Sequence, residues 1–554
     1  MQYLLSSTAV LILVASVGAQ NITATVNDSR SHGVVADNLL SLDEAIRVAN
    51  GTLTTQALSA AERAQFAGIG TLTTIEVRGS ITPVITLERE ITPVTGIPGA
   101  GADLVINGVQ GNGGPALVAG AFNYGLALKT NRAQVLGLAI RGGRVGIEAD
   151  TTANLSLGVF GIISDIAFAA QTEAGLRLRT PNDQAGRRLL LKVRRCQFPG
   201  LPVGIDIRSD SDFGNIDVEG EWLTFAGCAT GVDLQSNAVG GRHQWQCFRS
   251  NITGGDYCWR LRRALGNDTE WLIRAVYGDY FARRTAFEVD GSTGADTVFH
   301  HHQVNVRGGF GSGDYALLTR PLSGRFDLHG SENVIEGNVL IQSGRLSRRT
   351  WFLNNHFQNG TFAISDDGVQ PDLQWNVFAS TPVTVLSTNT QPTRFVDCEF
   401  VRSPINDTTT AAVMSTLIGC YQAASPTTGN VMVQNPASAS WTGVASVTPV
   451  DPPRGGFVDL TLALQPGTAG IWWLGFSEPR PVTSNYPYRY YLTTSSAVVI
   501  PGILVGQSRV RLTIPPQAYL VGVEFHAQPL VALMLGQTYG QALAMPRGGR
   551  FQLQ

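Results

Sequence analysis

The sequence predicts an all-β chain in which a long parallel β-helix is followed by a small antiparallel β-sandwich. Three observations carry that prediction. A four-residue pattern of small or polar, apolar, polar, apolar returns as Gly146-Ile147-Glu148-Ala149, Gly175-Leu176-Arg177-Leu178, Gly204-Ile205-Asp206-Ile207 and Gly231-Val232-Asp233-Leu234. It continues more loosely as Cys258-Trp259-Arg260-Leu261, Ala286-Phe287-Glu288-Val289 and Tyr315-Ala316-Leu317-Leu318. The near-constant step of roughly 28 residues marks a solenoid in which each coil covers its neighbour's apolar face. Second, other strand-like runs, such as Val193 to Phe198 and Leu223 to Phe225, end shortly before the pattern. Several short strands per coil fit a β-helix better than leucine-rich or helical repeats, and a propeller would need ~40–50 residues per blade. Third, the chain ends in segments that alternate with period two.

Composition narrows the partners. Charged residues make up 15% of the 554 and the formal charge is −2, which argues against a nucleic-acid surface. The basic residues are almost all Arg, Lys occurring only at Lys129 and Lys192. That bias suits bidentate carboxylate contacts, as on uronic-acid polymers, although genome composition produces it too. An apolar run from Ala9 to Val14 and small residues at Val17-Gly18-Ala19 before Gln20 predict a secretory signal over 1–19. Export to the medium or the cell surface follows. No later run reaches the ~18 apolar residues of a membrane span.

Taken in order, the chain next offers two capping boxes. Ser41 with Glu44 opens a helix that places Leu42, Ala45, Ile46 and Ala49 on one face, and Ser59 with Glu62 opens a second, shorter one. Short strands follow at Thr74 to Val77, Ile81 to Ile85 and Leu104 to Ile106, separated by Gly and Pro. A Ser-Leu-x-Glu-Ala-Ile helix and then such strands, over roughly Asn38 to Gly111, resembles the N-terminal cap of secreted right-handed parallel β-helix proteins. The resemblance implies a right-handed solenoid with a helical cap and says little about activity.

Past Leu318 the phase slips and resumes at Phe357, Phe378, Phe400 and Tyr421 with a shorter step of roughly 21–22 residues. Alternation puts Asn355, Asn376 and Cys398 on the same, inward side as these aromatics, forming an internal stack beside a short asparagine ladder. Cys398 and Cys420 are separated by one such step, so they fall on adjacent coils within reach of a disulfide; two buried thiols in a row is the plainer reading. Thr448 to Gly456 reads as a linker between the solenoid (20–447) and the sandwich (457–554). In the latter Val458, Leu460 and Leu462, and later Val510, Leu512 and Ile514, alternate with polar residues. This portion looks like the C-terminal β-module of many secreted bacterial proteins, which implies attachment or sorting.

The strongest chemical candidate is Arg325-Phe326-Asp327-Leu328-His329-Gly330. On a strand, Arg325, Asp327 and His329 share one side, and abstraction of a uronate C5 proton needs a base, a proton donor and a cation for the carboxylate. The segment faintly resembles the Asp-Pro-His motif of alginate C5-epimerases, with Leu328 in place of Pro, and this implies catalytic roles for Asp327, His329 and Arg325. A surface ion-pair row without catalysis is the bland alternative. In the later register His356, Val377 and Glu399 form an outward row, with His356 and Glu399 ~9.6 Å apart as candidates to contact a bound sugar. No metal site is predicted: consecutive residues in His300-His301-His302 alternate sides, and no carboxylate or Cys stands at ligand spacing in the sequence. Asp366-Asp367 is similar to the paired acids of inverting polygalacturonases but lacks that family's other segments, and Ser365 to Gly368 reads as a turn. Trp472, Trp473, Tyr486, Tyr488, Tyr490 and Tyr491 suit either sugar stacking or core filling. Eight Asn-x-Ser/Thr sequons, including Asn251, Asn359 and Asn406, matter only in a glycosylating host. No cofactor is expected. The sequence thus supports an exported protein that binds polysaccharide or a cell-envelope partner along the solenoid flank, or else a lyase or C5-epimerase, less specifically a glycoside hydrolase, acting on an acidic polymer.

Overall fold

The computed structural model describes residues 21–96, 103–109, 114–130, 132–150, 161–182, 185–237, 239–264, 269–290, 296–320, 325–343, 349–366, 368, 370–437, 444–448, 456–463, 469–476, 497–505, 507–513, 524–533, 542–544 and 549–552. The predicted signal segment, most of the predicted linker, Asp367 and Tyr486 to Tyr491 lie outside them. Over 21–434, forty described strands join in one hydrogen-bonded assembly, parallel throughout except for a two-residue antiparallel pairing near the start. The strands fall into three sheets that wind up the molecule together. The first runs from Asn21–Val26 and Thr71–Arg78 through Arg188–Arg194, Asn215–Glu221, Phe326–Ser331 and Arg349–Leu353 to Val431–Gln434. The second includes Ala167–Ala169, Gln197–Pro199, Thr224–Ala226 and His356–Gln358, and the third Val145–Asp150, Ala174–Thr180, Val203–Ser209 and Thr230–Ser236. Gly241–Ala264 and Thr269–Asp290 pass through all three sheets without a break in strand character.

Both predicted capping boxes form. Ser41 caps the helix Leu42–Ala49 by accepting from the Glu44 N–H while Glu44 accepts from the Ser41 N–H, and Ser59 and Glu62 do the same for Ala60–Arg63. The apolar face of the first helix, Leu42, Ala45, Ile46 and Ala49, is buried in the continuous core.

The repeat sits in the third sheet, and its small residue has a steric cause. Phe168, Phe198 and Phe225 stack from the second sheet at 4.9 and 4.6 Å between ring centroids. A Cβ placed on Gly146 would stand 2.5 Å from the Phe168 ring, and one on Gly204 2.4 Å from Phe225. The stack therefore needs a residue without a side chain beside it. Register confirms the first six repeats, Ile147, Leu176, Ile205, Val232, Trp259 and Phe287 lying opposite one another in turn. The seventh is one residue out: Phe287 pairs with Leu317, so Ala286 aligns with Ala316 and not with Tyr315. Likewise Phe357, Phe378 and Phe400 stack at 4.9 Å per step, but Tyr421 pairs with Glu399 and leaves the column.

The turns from first to second sheet are built on one left-handed residue per coil, among them Asp165, Arg195, Trp222, Arg249 and Tyr277. Side chains disfavour this conformation. It is held because the turn's N–H bonds to the next coil, as in Asp165 to the Arg194 carbonyl (3.0 Å) and Arg195 to the Glu221 carbonyl (2.9 Å). The predicted asparagine ladder is present and begins one coil earlier. Asn333 Nδ2 donates to Asn355 Oδ1 (2.7 Å), Asn355 Nδ2 to Asn376 Oδ1 (2.9 Å), and Asn376 Nδ2 to the Phe352 carbonyl (2.9 Å). Cys398 and Cys420 continue the ladder as free, buried thiols directed at the carbonyls of Leu373 and Phe395; in this structure they are unpaired as a disulfide.

After Gln434 the pairing becomes antiparallel. Val444–Thr448, Phe457–Ala463 and Gln507–Thr513 form one sheet, and Ala469–Phe476, Ala497–Val505, Glu524–Leu533, Ala542–Ala544 and Gly549–Gln552 another. Thr448, where the sequence suggests a linker starting, is thus the last residue of a strand paired with Phe457–Ala463.

Candidate functional site on the first sheet

Alternation along Asp296–Arg307 sends His301 inward and His300 and His302 outward. His301 is 1% exposed, with its Nδ1 2.8 Å from Asn333 Nδ2. Parallel register then builds an outer row from neighbouring coils: Arg274 opposite His300, His300 opposite His329, His329 opposite Trp351, Trp351 opposite Asp372, and Asp372 opposite Arg394. Five strand spacings make this row about 24 Å long. One residue-pair further along the strands, Asp327 lies opposite Arg349.

Asp327 and His329 come together as their spacing predicts, with His329 Nε2 2.8 Å from Asp327 Oδ1. The His300 and His329 rings stack in parallel at 4.4 Å, and the Trp351 ring meets His329 edge-on at 5.5 Å. Arg349 lies over Trp351 at 4.9 Å. Arg325 does not join them. Its N–H donates to Asp296 Oδ1 (3.0 Å) and its guanidinium stands 3.8 Å from Asp296 Oδ2, so the charge beside Asp327 comes from Arg349 on the following coil.

Electrostatics follow from this crowding. Burial pushes the His300 imidazole down, and His329 and Arg274 add to the effect, to a pKa of about 4. For Asp327, burial works upward, but contact with His329 and the charges of His300 and Arg349 outweigh it and hold the carboxyl below its usual range. Neither Arg274 nor Arg349 forms an ion pair with a carboxylate among the described residues, and the Arg274 Nε is buried without a hydrogen bond.

His356, Val377 and Glu399 lie in one row of the second sheet, as alternation requires. Glu399, however, is 1% exposed and stands beside Tyr421, so this row does not present two open polar groups. Asp366 ends the strand Phe362–Asp366. Trp472 and Trp473 lie within Ala469–Phe476 of the second antiparallel sheet, opposite Pro529 and Gln528.

No protein-family model matches the chain, and no curated protein matches it. Among solved structures, it is similar to the enzymatically active domain of tailspike protein 2 of bacteriophage CBA120, at 11% identity and a TM-score of 0.26, over 86% of this chain and 72% of that one. No helix among the described residues is long and apolar enough to cross a membrane.

The sequence alone misses Arg274, Arg349 and Trp351, and it weighs His300 only with its two neighbours, as a metal site that is set aside. For His300 a signal exists, since it precedes His329 by one full step of the longer repeat. Trp351 follows His329 by the shorter step, and nothing in the sequence fixes where the period changes.

Proposed function

We propose that this protein acts outside the cell that makes it, binding an acidic polysaccharide along the outer face of the first sheet. One observation carries the reading: Arg274, His300, His329, Trp351, Asp372 and Arg394 form a straight outer row, with Arg349 at its side. An indole offers a flat apolar surface to a sugar ring, and guanidiniums held in no ion pair suit uronate carboxylates bidentately. A row with strand spacing suits an extended polymer better than a compact ligand. The test is binding of the exported chain to uronate polymers beside their carboxyl-reduced counterparts. Binding that ignores the carboxylates, or survives Trp351→Ala together with Arg349→Ala, defeats the proposal.

The 2.8 Å contact of His329 with Asp327 favours a second reading, a lyase or C5-epimerase. In it the His329–Asp327 pair takes the uronate C5 proton, and Arg349, in the place the sequence gives to Arg325, neutralises the carboxylate as charge develops. Loss of the C4 leaving group then gives an unsaturated uronate, whereas return of a proton to the other face inverts C5. A panel of uronate polymers incubated with the protein and with His329→Ala decides it: neither unsaturated ends nor altered uronate composition would leave binding alone.

A further inference from the structure

We propose that His300, His329 and Asp327 form a binding site for a divalent transition-metal ion, with its remaining coordination positions open to solvent. The three come from two adjacent coils, and one ligand atom of each lies within 4.8 Å of the others. Imidazole nitrogens with one carboxylate oxygen suit zinc, cobalt, nickel or iron better than calcium or magnesium.

The polar contacts themselves point to a missing partner. His329 Nε2 and Asp327 Oδ1 are 2.8 Å apart, yet both atoms, like His300 Nε2, are buried without an aligned hydrogen bond. Two atoms that close but not aligned as donor and acceptor resemble adjacent ligands on one ion, which at bond lengths of ~2.1 Å stand about 3.0–3.4 Å apart. As they stand the two rings are parallel, so directing both lone pairs at one ion turns one ring about its Cβ–Cγ bond.

A second cluster of ligand-type groups shows the contrast. His32 Nδ1 accepts from the Val34 N–H at 3.1 Å, which leaves the proton on Nε2, 2.9 Å from Asp28 and 3.1 Å from Asp37. There the imidazole serves as donor to two carboxylates and has no lone pair for an ion. At His300 and His329 no backbone group fixes the tautomer in this way among the described residues. Arg274 and Arg349 border the site, so the open positions of a bound cation suit an anionic ligand, a carboxylate above all.

The inference does not rest on the polysaccharide reading, because binding is measured without polymer. The full chain, freed of metal with a chelator, is titrated with cobalt(II) while its visible ligand-field absorbance is followed, and zinc is then used to displace the cobalt. One equivalent is expected, with affinity at least tenfold weaker in His300→Gln, His329→Gln and Asp327→Asn. His302→Gln and His356→Gln should bind as the parent does. Circular dichroism on each variant checks that it is folded, and Asp327→Asn preserves the shape of the side chain where the histidine changes do not. The absence of a ligand-field band at millimolar cobalt overturns the proposal, as does a band that survives Asp327→Asn and His329→Gln.

Discussion

The outer faces of the first and third sheets are made by the same repeat with the same parallel register, yet they differ in how charge is placed. On the third sheet a run of cations meets acids on their own or the adjacent coil: Arg177 with Asp206 (2.9 Å), Arg208 with Asp206 (2.9 Å), Arg260 with Glu288 (2.6 Å), and Arg262 with Asp233. Asp206 and Asp233 are each 2% exposed, so this face is closed upon itself. The first sheet is matched in the same way on its earlier coils, Lys192 with Glu219 (3.0 Å) and Arg194 with Glu221 (3.5 Å), but further along it brings Arg274, His300, His329 and Trp351 into one row and leaves Arg274 and Arg349 in no ion pair among the described residues. The solenoid supplies regular spacing to both faces. The unmatched stretch of the first sheet is the part equipped for a charged partner.

The sharpest way to break the comparison is to open the closed face. Asp206→Ala removes the buried acid shared by Arg177 and Arg208, leaving Arg177 only Glu173, and should destabilise the protein by about 1.5–3 kcal/mol, with polymer affinity unchanged in the folded fraction. Denaturant titration beside a binding assay reads both. On the first sheet the effects should reverse. Arg349→Ala should weaken uronate-polymer binding about tenfold or more and alter stability by no more than about 0.5 kcal/mol.

Acid should have a smaller effect, on core and face alike. His243 and His300 have pKa values lowered to about 4, and His301 to about 3, burial being the leading cause in each. The native state refuses protons that the unfolded chain accepts, so the contribution of these groups is complete above about pH 6.5 and is lost as pH falls through about 4 and then 3. Melting temperature should therefore fall over that range. His243→Phe, which also removes two buried ring nitrogens without hydrogen-bond partners, and His300→Gln should flatten the dependence to a similar extent, since both imidazoles are lowered to about 4. The smallest change is expected from Arg325→Ala. Arg325 is half exposed and engages Asp296, so polymer affinity and stability should both stay within about 0.5 kcal/mol of the parent.

Local rules read much of this architecture from sequence. Both capping boxes, the inward placement of Asn355, Asn376 and Cys398, and the register of His356 with Val377 and Glu399 depend on chemistry within a few residues and on a steady period. Errors of one residue arise at Tyr315 and Tyr421, where apolar or aromatic residues stand next to each other and periodicity no longer says which faces in. The site is half legible for a related reason. Asp327 and His329 share a strand, but Arg349 and Trp351 reach them from the next coil, after the period has shortened, and Arg325 is drawn away by Asp296 from the coil before. A strand's own alternation cannot reveal the charge its neighbour presents.

The difference between the two faces is tested most directly by the affinity of the parent chain, Arg349→Ala and Asp206→Ala for one uronate polymer and its carboxyl-reduced form. The parent should bind the acidic form at least tenfold more tightly, Arg349→Ala should abolish this preference, and folded Asp206→Ala should retain it. Equal affinity of the parent for both polymers, or a preference untouched by Arg349→Ala, would contradict an open, cationic first sheet.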